Sequence, residues 1–162
     1  MKNIINPYTK LDGYNCFGCS PKNEHGLKMK FFEEGDYVIS NWEPKEFLQG
    51  YYNVLHGGIQ ATLMDEIGSW FIQIKMQTAG VTSNMNIRYI KPVSVVNGNI
   101  KLRASLLQKR RNLVDVKVEL FDTNEKLCAT GDLTYFTFSK DVARNKFYYP
   151  DFEDFFERSE TS

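Results

Sequence analysis

Between residues 53 and 80 the apolar positions recur with the period of a helix. On a wheel of about 100° per residue, Gln60, Leu63, Met64, Ile67, Trp70, Phe71 and Ile74 share one side. All but Gln60 are apolar, so this side is the core stripe. The pattern predicts a helix from near Gly58 to about Gln77, stopped by Thr78-Ala79-Gly80, with Gly80 as its C-terminal glycine. Asp65 lies nearly opposite the stripe, on a ridge with Ala61, Gly68 and Ile72. Small residues there suit close packing against another chain or a ligand, with Asp65 in the seam. The plainer reading is a solvated carboxylate.

Elsewhere the period is two. Leu27 to Phe31 and Tyr37 to Trp42 alternate around Glu33-Glu34-Gly35-Asp36, a hairpin that Pro44 ends. After the helix, Met85, Ile87 and Tyr89 alternate with polar neighbours until Pro92, and Asn97-Gly98 is a strong turn signal. Ile100 to Leu106, Val114 to Leu120 and Leu127 to Phe138 are further strands, separated by Lys109-Arg110-Arg111-Asn112 and by Asp122-Thr123-Asn124. Short turns imply antiparallel pairing. A sheet with one polar face cannot leave a long apolar helix bare. The expected class is therefore α+β, an antiparallel sheet of about six strands wrapped around one central helix. Residues 1–26 read as an irregular arm, 27–139 as the folded domain and 140–162 as an acidic, aromatic extension. The extension is either a short helix packed on the body or a tail over a partner subunit, with its last residues frayed.

Composition narrows the classes. A chain of 162 residues fits one domain. Its formal net charge is zero, so no global field recruits nucleic acid or an anionic membrane. Met1 to Lys10 holds no signal-type apolar run, and no stretch approaches a membrane span. Three cysteines make an odd count, which points to a reducing compartment, the cytoplasm. The spacing of Cys16-Phe17-Gly18-Cys19 fits a zinc knuckle or a redox pair, but only His25 lies nearby as a further ligand. Two small thiols fixing a turn is the third reading, and no metal is expected.

The chemistry concentrates at Asn53-Val54-Leu55-His56-Gly57-Gly58, a glycine-rich turn opening into the helix. The first N–H groups of a helix lack internal partners and sit at the positive end of its dipole. A carbonyl oxygen gaining negative charge can be held there. Asp65, about two turns further on, supplies a carboxylate. Without metal-ligand neighbours, His56 reads as a hydrogen-bonded loop residue, and Glu66 as a solvated or paired acid.

These residues resemble the PaaI-like hotdog-fold thioesterases, whose hallmark is His-Gly-Gly opening a long helix and an acid seven positions after the second Gly. Here that is His56-Gly57-Gly58 and Asp65. Thr82 to Tyr89, ending at Lys91-Pro92-Val93, resembles the family's strand after the helix. The Cys16 to Leu27 stretch and Gln49-Gly50-Tyr51 resemble a subgroup, so the likeness spans about Asn15 to Ser139. The resemblance implies hydrolysis of acyl-CoA or acyl-carrier thioesters without a metal or organic cofactor, in a homodimer or homotetramer with the site between subunits. It makes Asp65 the general base or nucleophile and the Gly58 N–H, with Gly57 beside it, the carbonyl-polarising donor. His56 would orient the loop or touch the acyl group. Thr82, in preference to Ser83, would hold the water or carbonyl. Asn53 stands where many relatives have Gly, so it either preserves a left-handed turn or lines the pocket. Arg110 and Arg111 would grip coenzyme A phosphates or form an exposed hairpin tip. A non-catalytic acyl-CoA-binding module on the same fold is the alternative, and an enoyl-thioester hydratase a more distant one.

Overall fold

A computed structural model describes residues 1–157; the last residues of the extension, expected to fray, lie outside the described residues. Seven antiparallel strands form one sheet: β1 (Lys2–Ile4), β2 (Phe31–Glu34), β3 (Tyr37–Trp42), β4 (Gly80–Tyr89), β5 (Ile100–Arg110), β6 (Leu113–Phe121) and β7 (Leu127–Thr137). Their order across the sheet is β1-β2-β3-β5-β6-β7-β4. Helix α1 (Gly57–Phe71) packs on the sheet and contacts β3, β4, β5, β6 and β7. This is the hotdog fold. No described helix is long and apolar enough to cross a membrane.

The predicted helix stripe is the centre of the core. All seven of its residues are buried, and Leu63, Met64 and Ile67 have no exposed surface. Burying one such side chain contributes about 1.5–3 kcal/mol. Gln60, the polar member, donates from Nε2 to the Leu55 carbonyl at 3.1 Å and so ties the helix to the loop before it. Trp70 stacks on Phe31 of β2 with ring centroids 4.9 Å apart.

Four expectations need correction. The helix does not end through Gly80. Its last turn widens over Ile72–Met76 and the chain leaves through Gln77 in a left-handed conformation at φ 52°. Gly80 already belongs to β4, where a Cβ would press on Ile72 Cγ2 at 3.1 Å. Second, Leu27 to Met29 is not a strand. Lys28 sits at φ 54°, and Leu27 and Met29 donate their N–H groups to Phe17 and Gly18 of the cysteine loop. Third, Asn97-Gly98 turns the chain but joins no hairpin, because β4 pairs with β7 at the sheet edge while β5 pairs with β3. The connection is held by Val93 and Val95, both buried, whose backbones bond Leu55 and Asn53 ahead of the helix. Fourth, the arm contributes a seventh strand, β1, which the loop-forming composition of residues 1–26 hides.

Helix α2 (Lys140–Phe147) is capped by Ser139, which accepts from the Val142 N–H. The chain then folds back, burying Tyr149, Phe155 and Phe156 against the body. Tyr149 Oη donates to the Gln73 carbonyl at 2.6 Å.

Candidate active site

The loop before α1 is tightly cross-bonded. His56 donates its N–H to Leu48 O, and Leu55 donates to Val93 O. Asn53 adopts φ 59°, and its N–H donates to Gln49 Oε1 at 2.7 Å, so the left-handed turn is present here. His56 is the helix cap. Its Nδ1 accepts from the Gly58 N–H at 2.9 Å, which leaves the proton on Nε2. The Gly57 N–H has no partner among the described residues, and the Gly57 carbonyl accepts from Tyr89 Oη at 2.7 Å. Gly50, Tyr51, Val54, Leu55, His56 and Gly57 line a cavity of about 320 Å³ at this helix start.

Asp65 is half-buried between α1 and the β4–β7 seam. Its Oδ1 accepts from Thr82 Oγ1 at 2.7 Å and from Tyr135 Oη at 3.0 Å. The same phenol lies 2.8 Å from the Asp65 carbonyl oxygen. Thr82 and Tyr135 are directly opposite each other across the seam, which is why both reach one oxygen. Ser83 sits at a register shift between Thr82 and Asn84, so it has no opposite residue and does not reach Asp65. Oδ2 of Asp65 accepts no hydrogen bond among the described residues. Burial, then the charge of Asp65, push the Tyr135 phenol well above its ordinary range, so it stays a donor.

Tyr135 is the site residue that sequence reasoning missed. The available signal was a tyrosine at an inward position of a strand, where its hydroxyl needs a partner. Gly68 makes room for it: a Cβ there would overlap the Tyr135 hydroxyl. The small residues on the Asp65 ridge thus serve, at Gly68, a contact within the chain, and Ile72 is buried rather than presented outward.

Glu66, expected to be solvated or paired, points the other way into the cysteine loop. It accepts from Trp70 Nε1 at 3.2 Å and from Cys16 Sγ at 3.4 Å. Burial, then the nearby Cys16, push its carboxyl up to about 7. Cys19 Sγ donates to Cys16 Sγ at 3.2 Å, which holds Cys16 below the usual thiol range; that bond and burial push Cys19 up. His25 is exposed and takes no part. Arg110 pairs with Asp115 at 2.7 Å, and Arg111 occupies the β5–β6 turn at φ 54°. Neither bonds Asp65 or the helix start among the described residues.

Residues 52–129 match the family model described as the thioesterase superfamily. Acyl-coenzyme A thioesterase 13 of Mus musculus is 35% identical over 79 residues, 48% of this chain and 56% of that protein. Zebrafish thioesterase superfamily member 2 superposes with a TM-score of 0.63 at 28% identity, covering 72% of this chain and 88% of that one. The smu.793 protein of Streptococcus mutans, solved with acetyl-CoA bound, gives a TM-score of 0.64 at 22% identity, covering 81% and 98%. The fold and these likenesses agree: this chain has the hotdog fold, and its residues 52–129 are similar to the thioesterase superfamily.

Proposed function

We propose that this protein hydrolyses acyl-CoA thioesters with Asp65 as general base or nucleophile. The observation that carries the reading is the Asp65 carboxylate, fixed through Oδ1 by Thr82 and Tyr135 while Oδ2 accepts no hydrogen bond among the described residues. A carboxylate held in one rotamer with one open oxygen is suited either to take a proton from water or to attack a carbonyl. The helix start supplies the complementary charge. The unpartnered Gly57 N–H, and the Gly58 N–H once His56 releases it, would hold the developing oxyanion.

One chain does not bring these halves together. Seven residues of helix separate Gly58 from Asp65, roughly 10 Å along the axis. Base and oxyanion donors must both lie about 3 Å from the reacting centre. A second copy that sets its helix start against Asp65 satisfies this distance, so the working unit is a homodimer or a dimer of dimers. The exposed Tyr51 and Tyr52 beside the helix start, and the open edge of β4, are the surfaces that such a partner would cover. The acetyl-CoA in the Streptococcus mutans relative supports coenzyme A as the thiol carrier. Arg110 and Arg111 are candidates for its phosphates, and Asn53 and Ser83 for the rim of the pocket.

The test is thiol release by purified protein on short, long and aromatic acyl-CoAs, with Asp65→Ala alongside. Turnover by the native protein that disappears in the variant supports the reading. Retained turnover in Asp65→Ala overturns the mechanism. Ligand-induced thermal stabilisation without any hydrolysis replaces it with a non-catalytic binding module.

A further inference from the structure

We propose that Cys16, Cys19 and Glu66 form a binding site for a thiophilic divalent cation such as zinc, which pins the N-terminal arm to helix α1. The two sulfurs and a carboxylate oxygen lie within 4.8 Å of one another. They come from segments far apart in sequence, and the approach is close by construction. A Cβ at Gly18 would overlap the Glu66 carboxylate, so the glycine between the cysteines lets the loop seat on the helix at this point.

The surroundings are built to hold negative charge. Asn6 Nδ2 donates to Cys19 Sγ at 3.6 Å, the Cys19 N–H to Cys16 Sγ at 3.4 Å and Trp70 Nε1 to Glu66 Oε1 at 3.2 Å. The Tyr14 hydroxyl lies 3.1 Å from Cys19 Sγ and can donate there. Donors thus converge on three acidic groups, and no Lys or Arg among the described residues pairs with Glu66. The thiol protons do the joining: Cys19 Sγ bonds Cys16 Sγ at 3.2 Å, and Cys16 Sγ bonds Glu66 at 3.4 Å.

A divalent ion replaces those protons. Two thiolate–metal bonds form, a carboxylate–metal bond forms, and the displaced protons go to solvent. A tetrahedral ion about 2.3 Å from each sulfur holds them roughly 3.7 Å apart. That is a small opening of the present pair. Cys16, Cys19 and Glu66 line a cleft of about 320 Å³ together with Tyr8, Tyr14 and Ser69, from which water can complete the set. The surrounding N–H donors then orient the ligands. Sequence spacing alone could offer only His25; the helix supplies Glu66 instead.

The experiment titrates reduced, metal-stripped protein with Zn²⁺ and with Cd²⁺. The expected result is one ion per chain, a rise in thermal midpoint, and with Cd²⁺ a thiolate-to-metal charge-transfer band of two-thiolate amplitude. Cys16→Ser should lose half or more of that band. Glu66→Gln, nearly isosteric, should keep the fold and weaken binding about tenfold or more, which holds the test open if the cysteine variant fails to fold. Cys128→Ser should bind as the native protein does. No saturation at one ion, or unchanged affinity in Glu66→Gln, overturns the proposal. So does an unmoved thermal midpoint with Zn²⁺ while a small-molecule disulfide oxidant links Cys16 to Cys19, which makes the pair a dithiol switch. None of these readouts depends on thioester hydrolysis.

Discussion

Asp65 and Glu66 are neighbours on one helix and carry the same functional group, yet they live in different chemistry. Asp65 faces the β4–β7 seam, where two hydroxyls converge on one of its oxygens and leave the other open. Glu66 is turned about 100° away into sulfur and indole, where burial lifts its carboxyl to about 7. The difference arises from the neighbours, since each acid is placed by a glycine. Gly68 lets a phenol reach Asp65, and Gly18 lets a thiol loop reach Glu66. The roles proposed for the two carboxylates, base and metal ligand, rest on these surroundings and not on the residue type.

The sharpest way to break this contrast is Asp65→Ala. It should lower thioester hydrolysis by about 10³-fold, within the range of positioned acid–base groups. Equal activity would erase the distinction. Next, Gly68→Ala forces the added methyl against the Tyr135 hydroxyl. It should destabilise the fold by about 2 kcal/mol in denaturant melts and reduce hydrolysis through the displaced phenol. Tyr135→Phe removes the bond to Oδ1 with little change in shape and should cost about tenfold in kcat, read against an unchanged far-ultraviolet circular dichroism spectrum. Thr82→Val removes the other Oδ1 donor and should cost somewhat less, roughly five-fold, because Thr82 is exposed and water can replace its hydroxyl. Smallest is Arg110→Ala, which breaks the pair between this half-exposed arginine and Asp115. It should move stability by less than about 1 kcal/mol, and a rise in KM for acyl-CoA without a fall in kcat would give this arginine a phosphate role.

How much the chain discloses by itself follows from the range of each interaction. The buried stripe from Gln60 to Ile74 is periodic, so its side of the helix is legible in the residue pattern alone. The β3, β5, β6 and β7 segments are legible for the same reason, and the glycine pair is read from residue type, whereas the capping role of His56 is not legible there. Pairing between distant segments is not. Nothing local tells that Thr82 and Tyr135 oppose each other, since the partner of β4 is chosen by where β7 lies in the sheet. The contact of Glu66 with Cys16 depends on how the arm folds back. The strand at Lys2–Ile4 is too short to carry a period. The helix end near Gln77 is legible, but its left-handed step is not, because Gln77 carries no glycine signal.

The strand order also sets which pairings are local and which must close long loops. The β2–β3, β5–β6 and β6–β7 pairings join neighbours and close short loops. The β3–β5 and β4–β7 pairings do not: Val38 meets Ala104, and Gly80 meets Thr137. Loop closure makes such long-range seams the slow steps. Thr82 and Tyr135 face each other across the second of them. The two hydroxyls on Asp65 therefore come together only when that seam shuts, so the arrangement proposed for the base depends on the β4–β7 pairing.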